Sequence, residues 1–449
     1  MKDKPQETKP TTVSKRAKQV GNADSEIFYR WLWAEPTVWT PRMLTALEQG
    51  VKGGSWFSLI DKVYTLPALE AAFRKVEANK GAAGVDHVTI EMFADQLDVN
   101  LRRLVEELRD GTYRPQLIRR TWIPKPGSSE KRPLGIPTVR DRVVQAALRA
   151  VLEPIFERDF AEQSYGFRPE RGAKDALRRV DELLKAGYTF VVDADLKSYF
   201  DTIPHAPLMA LVSAKVSDGR ILSLVEAFLE QGILSEQEVM QPERGTPQGA
   251  VLSPLLSNIY LDPLDHLIAA RGWEMVRYAD DFVILCRSEA EAREALNYVT
   301  QWTGRAGLTL HPEKTQVVDA TQKGGFDFLG YHFERGYKWP RKKSLKKLKD
   351  RLRELTGRTN GQSPDEIIRQ INRTLGGWFE YFKHSHKTTF PNLDRWLRMR
   401  LRSILRKRHG GKGRGKGRDH FRWPNAFFEA RGLFNLSTAH AKLCQSSRR

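Results

Sequence analysis

The sequence predicts an α+β protein, and three observations carry that expectation. From about residue 64 to 340, helical segments alternate with short β-rich runs, of which 188–195, 275–278 and 282–286 are the clearest. Beyond residue 340 the apolar pattern is helical only. The charge balance changes at the same place: residues 341–449 hold 29 Lys and Arg against 8 Asp and Glu, whereas the first 340 hold 45 against 47. The net charge of +19 is therefore a property of one end. A length of 449 residues allows two to four domains at roughly 100–200 residues each.

The elements follow in order. Residues 1–25 are rich in Lys, Thr, Pro and Gln, which predicts a disordered tail. The Trp-rich stretch after it (Trp31, Trp33, Trp39, Trp56) predicts short packed helices, so 1–63 forms an N-terminal tail and extension. Leu66-Pro67-Ala68-Leu69 opens an amphipathic helix that runs through Val76 to Asn79-Lys80-Gly81. In 341–408, Leu345, Leu348, Leu352 and Leu355 recur at helical spacing with Lys and Arg on the other faces. Ser363-Pro364-Asp365-Glu366 is a capped start for a helix carrying Ile367, Ile371, Leu375, Trp378, Phe379 and Phe382. A third helix is expected over 391–408, with Leu393, Trp396, Leu397, Leu401, Ile404 and Leu405 inward. A lone basic face usually just solvates a helix, but three in succession suit a phosphate backbone. Residues 409–418 interleave Gly with Lys and Arg and predict a flexible linker; an apolar pattern returns over 423–440, so 409–449 forms the last unit.

Composition excludes several classes. The two cysteines, Cys286 and Cys444, rule out a disulfide framework and a Cys-rich zinc module, and suit a reducing cytosol. No apolar run reaches 18 residues, which argues against a membrane-spanning helix, and the polar N-terminus is unlike a secretory signal.

The chemistry concentrates in the near-neutral part. Tyr278-Ala279-Asp280-Asp281 lies between two β-rich runs, which predicts a hairpin with adjacent carboxylates at its tip. Such a pair repels itself unless a cation neutralises it. By strand alternation, Asp280 is expected to face the site and Asp281 its edge. Asp-Asp alone would read as a solvated turn, but a second apolar run ends in Asp193-Ala194-Asp195. Asp193 and Asp195 share a face, and spacing does not choose between them. Two strands ending in Asp are the minimum for a two-metal centre that clamps the attacking and leaving oxygens of a phosphoryl transfer.

Tyr278-Ala279-Asp280-Asp281 resembles the YxDD box of reverse transcriptases, and the wider set resembles the group II intron-encoded reverse transcriptase/maturase family. Asp195-Leu196-Lys197-Ser198-Tyr199-Phe200-Asp201 is similar to the family's D-[IL]-K-x-x-F-D block, and residues 244–258 (RGTPQGAVLSPLLSN) to its G-T-P-Q-G block. Further matches at 123–127, 131–137, 164–169, 310–315 and 328–331 occur in the family's order, which leaves chance negligible. Gly376-Gly377-Trp378-Phe379-Glu380-Tyr381-Phe382 resembles the signature of its maturase region, domain X.

The resemblance implies a right-hand polymerase fold. Fingers and palm, with an antiparallel palm sheet, would occupy 64–340, and a helical thumb/maturase unit 341–408. It selects Asp195, Asp280 and Asp281 as catalytic metal ligands for two Mg²⁺, with the Leu196 carbonyl as a further ligand, and leaves Asp193 structural. It implies dNTP binding by Lys125, Arg132, Phe200 and Gln248, the Phe200 ring excluding a 2′-hydroxyl. Lys314 is expected as a primer or backbone contact in the palm. For nucleic acid the basic end offers Lys346, Lys347, Arg351, Arg398 and Arg402.

The implied activity is RNA-directed DNA polymerisation, with binding of group II intron RNA to assist splicing and retrohoming. The partners would be the intron RNA, an RNA template with DNA primer, a DNA target site and dNTPs, with no membrane. The expected setting is a bacterial-type cytoplasm, at the nucleoid when the DNA target is bound. Many relatives end in an HNH endonuclease with paired cysteines and histidines. His384, His386, His409, His420, His440 and Cys444 show no such spacing, so no endonuclease is expected and the resemblance is to the endonuclease-lacking subset. A non-catalytic splicing factor is disfavoured by the complete carboxylate set. A free-standing polymerase serving repair or spacer acquisition is the other alternative, distinguished by whether intron RNA surrounds the gene.

Overall fold

The computed structural model describes residues 27, 29–51, 53–124, 131–236 and 238–446. The tail expected at 1–25 lies outside them. Thr65 caps α1 (Leu66–Asn79) by accepting from Ala68 N, and Pro67 falls in the first turn, where a missing N–H is not needed. The buried face of α1 packs against α3 (Val139–Glu157), with α2 (Leu97–Asp110) beside both. Helix α3 is buried over most of its circumference, and its buried polar side chains are paired: Asp141 accepts from Tyr113 Oη (2.6 Å) and Gln145 Oε1 from Val251 N (2.8 Å). Before it, β1 (Ile118–Pro124) and β2 (Lys131–Ile136) form an antiparallel hairpin with Ile123 opposite Arg132.

After α4 (Ala173–Lys185) comes β3 (Phe190–Asp195), then short helices and the small strands β4 (Ile233–Ser235) and β5 (Glu238–Met240). Helix α5 (Ser253–Ala270) leads into the hairpin of β6 (Glu274–Tyr278) and β7 (Asp281–Cys286), followed by α6 (Glu289–Arg305) and β8 (Gln316–Asp319). The expected palm sheet has order β6-β7-β3-β8 and is antiparallel throughout. Its alternation divides two cores. Val192, Phe282 and Ile284 join the main core, while Val191, Val283 and Leu285 join a second cluster with Leu177 and Val180 of α4. A sheet buried on both faces reads as continuous apolar runs, which is how 190–192 and 282–285 read. The other sheets are β2-β1-β4-β5 and a three-stranded one, β11-β10-β9, of β9 (Phe326–Phe328), β10 (Tyr331–Glu334) and β11 (Tyr337–Pro340).

The charge boundary coincides with the end of β11. Helices α7 (Lys342–Leu355), α8 (Pro364–Phe382), α9 (Thr389–Arg408) and α10 (Leu436–Ser446) then share a separate core containing Leu348, Leu352, Ile371, Leu375, Leu397 and Leu401. Helix α8 starts as the sequence predicts, with Ser363 accepting from Glu366 N. Helix α9 starts two residues before Pro391, because a proline in the first turn removes only an N–H that has no intrahelical partner. The helical unit is tied to the sheet by Tyr331 Oη donating to Tyr381 O (2.6 Å) and Tyr381 Oη donating to Leu329 O (2.8 Å). Among the described residues no helix is long and apolar enough to cross a membrane.

The stretch 409–418 differs from the flexible linker its composition predicts. It folds back on α9: Gly415 N donates to Ser403 Oγ (3.0 Å), Arg406 Nε to Lys412 O (2.8 Å), and Lys416 N to Asp419 Oδ2 (2.9 Å). A Cβ on Gly415 would stand 2.5 Å from Arg402 Cβ, so glycine is what allows the close approach.

Candidate active site

The palm sheet brings the predicted acids together at one end. Asp195, the last residue of β3, lies directly opposite Asp281, the first of β7, and Asp280 sits in the turn before it. Burial pushes the Asp281 carboxyl up to about 7, with Asp193, Asp280 and Asp195 adding repulsion. Asp280 is raised by burial and by Asp195 as well. Asp193, left structural by the resemblance, is pushed up to about 6 by burial and adds its charge to the same cluster. The expected division of Asp280 facing in and Asp281 at the edge does not hold. Ala279 has φ +60°, so the chain is not extended there, and both acids are half-buried.

A positive φ at alanine must be held by its surroundings. Here a fully buried ion pair holds it. Arg277 donates from Nε to Asp265 Oδ1 (2.8 Å) and from Nη2 to Asp265 Oδ2 (2.5 Å), and both side chains are 0% exposed. Its Nη1 bridges Asn258 Oδ1 (3.0 Å) and the Ala279 carbonyl (2.9 Å), the residue at the strained corner. Asn258 Nδ2 in turn donates to Gly166 O (2.8 Å). A Cβ at Gly166 would lie 2.2 Å from Ala279 N, so the Tyr165-Gly166-Phe167 strip presses on the turn with bare backbone. Sequence reasoning missed Arg277, Asp265 and Gly166 as positioning residues. The available signal was a charged residue inside an otherwise apolar strand run.

Lys314, expected as a primer or backbone contact, has its Nζ 2.5 Å from Asp195 Oδ2. Its loop is delivered by Lys197 N donating to Thr309 O (2.8 Å) and His311 N donating to Asp195 O (2.7 Å), with Leu196 bridged to Leu310 between them. Among the described residues no three Asp, Glu, His or Cys side chains close as a finished metal cage. The donor set nonetheless fits hard divalent cations: burial and then mutual repulsion raise the proton affinity of Asp280 and Asp281, and Asp195 beside them already holds an ammonium.

The residues proposed around the nucleotide are linked through backbone. Gly135 of β2, three residues after Arg132, donates N–H to Gln248 O (2.7 Å), and Thr246 N donates to Phe200 O (2.6 Å). Gly249 has φ +108° and a Cβ there would lie 2.4 Å from Gly135 O, so the Gly-Thr-Pro-Gln-Gly loop seals against the fingers hairpin. Phe200 is half-buried, edge-on to Phe167 at 6.4 Å. Arg132 is exposed, and Lys125 lies outside the described residues. In the basic end, Lys346, Lys347 and Arg351 are exposed and Arg398 is half-buried. Arg402 is a correction. It is 3% exposed and donates to Trp423 O (2.9 Å) and Asn425 Oδ1 (2.8 Å), so it ties α9 to the C-terminal segment and is withdrawn from nucleic acid.

Residues 123–333 match the family described as reverse transcriptase (RNA-dependent DNA polymerase), and residues 345–423 match the group II intron maturase-specific domain. The chain is 36% identical over 308 residues to Protein YkfC of Escherichia coli K12, covering 60% of this chain and 80% of that protein. It is 35% identical over 249 residues to the group II intron-encoded protein LtrA of Lactococcus lactis subsp. cremoris, covering 55% of this chain and 40% of LtrA. Nuclear intron maturase 2 of Arabidopsis thaliana is 28% identical over 231 residues, covering 42% and 31%. The chain thus spans most of YkfC and less than half of the other two. With the acids at the end of an antiparallel palm sheet and a maturase-type helical unit behind it, the chain belongs to the group II intron reverse transcriptase/maturase family.

Proposed function

We propose that the chain is an RNA-directed DNA polymerase of a group II intron that also binds intron RNA to assist splicing and retrohoming. The observation that carries this reading is Asp195 facing Asp281 across β3 and β7, with Asp280 in a turn clamped by Arg277. Divalent metal ions, here Mg²⁺ as a pair, would be held by Asp195, Asp280 and Asp281 with the Leu196 carbonyl, and would supply charge neutralisation for attack of a primer 3′-hydroxyl on a dNTP α-phosphate. Cations held by the acids would compete with the Lys314 ammonium for Asp195, and Lys314 would then be free to face the primer or the nucleotide. Arg132 and Lys125 hold the triphosphate. Gln248 and Phe200, tied together through Thr246, line the base and sugar, and the Phe200 ring excludes a 2′-hydroxyl.

The helical unit supplies the RNA-holding surface, with Lys346, Lys347, Arg351 and Arg398 as phosphate contacts. We assign no DNA-cleaving role to its histidines. His386 Nδ1 lies 2.9 Å from Thr388 Oγ1, His409 Nδ1 accepts from Arg422 (3.1 Å), and His440 packs on Phe390 at 4.6 Å. A DNA target site and a bacterial-type cytoplasmic setting belong to the same proposal. The test is primer extension on an RNA template with dNTPs and Mg²⁺, alongside retention of a group II intron RNA. Absence of extension defeats the polymerase half; absence of retention defeats the maturase half.

A further inference from the structure

The helical unit holds a second feature that the polymerase does not use. A cavity of about 200 Å³ opens where the end of α7 meets α9 and the Gly-rich loop. Its walls include Arg353, Thr356, Arg358, Trp396, Arg400 and Arg414. Four guanidinium groups therefore border one small volume, equivalent to about seven liquid-water volumes. Arg353 pairs with Asp350 on its own helix; among the described residues, Arg358, Arg400 and Arg414 have no carboxylate partner.

The site is built rather than incidental. Arg400 is fixed by Nε donating to Thr356 Oγ1 (2.6 Å) and Nη2 donating to Thr356 O (3.0 Å) and Arg353 O (3.4 Å). Its Nη1 has no hydrogen-bond partner among the described residues. Burial, and after it the like charges of Arg353 and Arg358, push this guanidinium below its ordinary value. The glycine that docks the loop, Gly415, is what brings Arg414 to the rim, and Ser403 Oγ receives its N–H. The Trp396 ring has Lys349, Arg353 and Arg400 at 5.7, 5.8 and 5.7 Å from its centroid. Guanidinium forks match phosphate oxygens two at a time, and the Trp396 ring helps to hold Arg353 and Arg400 beside the pocket.

We propose that this cavity is a phosphate-binding pocket whose ligand is a backbone phosphate of structured RNA, clamped by Arg358, Arg400 and Arg414. The choice of RNA rests on the RNA-holding role proposed for this end of the chain; the pocket's affinity for a phosphate group does not.

The test uses the full chain with a transcribed group II intron RNA, binding measured across a salt series. Arg358→Ala/Arg414→Ala removes two exposed side chains. The charge-matched control, Arg109→Ala/Lys185→Ala, removes two cations outside the pocket. The pocket variant should lose about tenfold or more in affinity. Its slope of log K against log salt should be shallower by roughly 0.7–0.9, the contribution of the one phosphate that the pocket neutralises. The control should lose less than threefold by our order-of-magnitude expectation for non-contacting charges. Arg358→Lys/Arg414→Lys should keep the slope and recover only part of the affinity, because the charge stays and the fork is lost. An unchanged unfolding midpoint establishes that the pocket variant is folded. Equal affinity and slope in wild type and pocket variant overturn the pocket. Inorganic phosphate, titrated by calorimetry, separates the sources: if the wild type binds it through these arginines yet does not retain the RNA, the ligand is a small phosphate compound and the RNA assignment falls.

Discussion

Replacing Gly166 by alanine is expected to slow chemistry while leaving nucleotide binding nearly intact. The added Cβ would lie 2.2 Å from Ala279 N and 2.8 Å from the Tyr278 carbonyl carbon, where ordinary contact begins near 3.4 Å. Both opposing atoms are backbone, so no flexible side chain can swing aside. The turn carrying Asp280 and Asp281 must retreat by about 1 Å, and a misplacement of that size costs on the order of 10²-fold in rate. In barrier terms that is about 2.7 kcal/mol. Overpacking adds a destabilisation of roughly 1–3 kcal/mol, so the assay belongs well below the variant's unfolding midpoint. Single-nucleotide incorporation on an RNA template should show kcat reduced about 10²-fold with KM for dNTP changed less than about threefold, because the residues proposed for nucleotide binding lie on other elements. A variant that is folded and retains kcat within about threefold of wild type would refute the claim that bare backbone at Gly166 positions the acids.

Three further outcomes follow from the same contacts. Asp265→Ala strands the Arg277 guanidinium, both partners being 0% exposed, and should cost about 3–5 kcal/mol in denaturant unfolding; a loss under about 1 kcal/mol would contradict a tightly coupled pair. Burial raises the Asp218 carboxyl, but N–H donors from Ile60, Leu59, Ile221 and Arg220 outweigh it, so its folded pKa lies below the ordinary value near 3.9. Its stabilisation is complete above that value and lost as pH falls through the lower folded value. Wild type should therefore lose stability more steeply than Asp218→Asn below about pH 4, and parallel curves would count against it. Burial and Glu291 push the Cys286 thiol up to about 12 while Cys444 is exposed, so a thiol reagent at neutral pH should titrate one group in the native chain and two after unfolding.

Much of the catalytic body was legible because its information is local. Runs such as 190–192 and 282–285 must be apolar on both faces, and the acids that end them stand out against that background. The helical unit was legible for the same reason, through leucine spacing and the Ser363-Pro364 start. What escaped is set by contacts distant in sequence. Nothing near Asp265 announces that it will neutralise Arg277, and nothing near Gly166 shows which backbone it will touch. Arg402 reads like its exposed neighbours because only the chain returning at Trp423 buries it. The 409–418 loop reads as flexible because its order comes from Ser403, Arg406 and Asp419 and not from its own composition. Alternation failed at Asp280 and Asp281 because Ala279 leaves the extended region, a departure that Arg277 and Gly166 impose from outside the turn.

We propose that Asp195, Asp280 and Asp281 together form the polymerising site. Its most direct test is dNTP incorporation on an RNA template with a DNA primer, comparing wild type with Asp280→Ala at several Mg²⁺ concentrations. Substituting even an outer residue of a metal site commonly costs 10–100-fold, so loss of a ligand should lower incorporation by more than about 10²-fold at every concentration. Incorporation by Asp280→Ala at the wild-type rate, or none by the wild type itself, would contradict it.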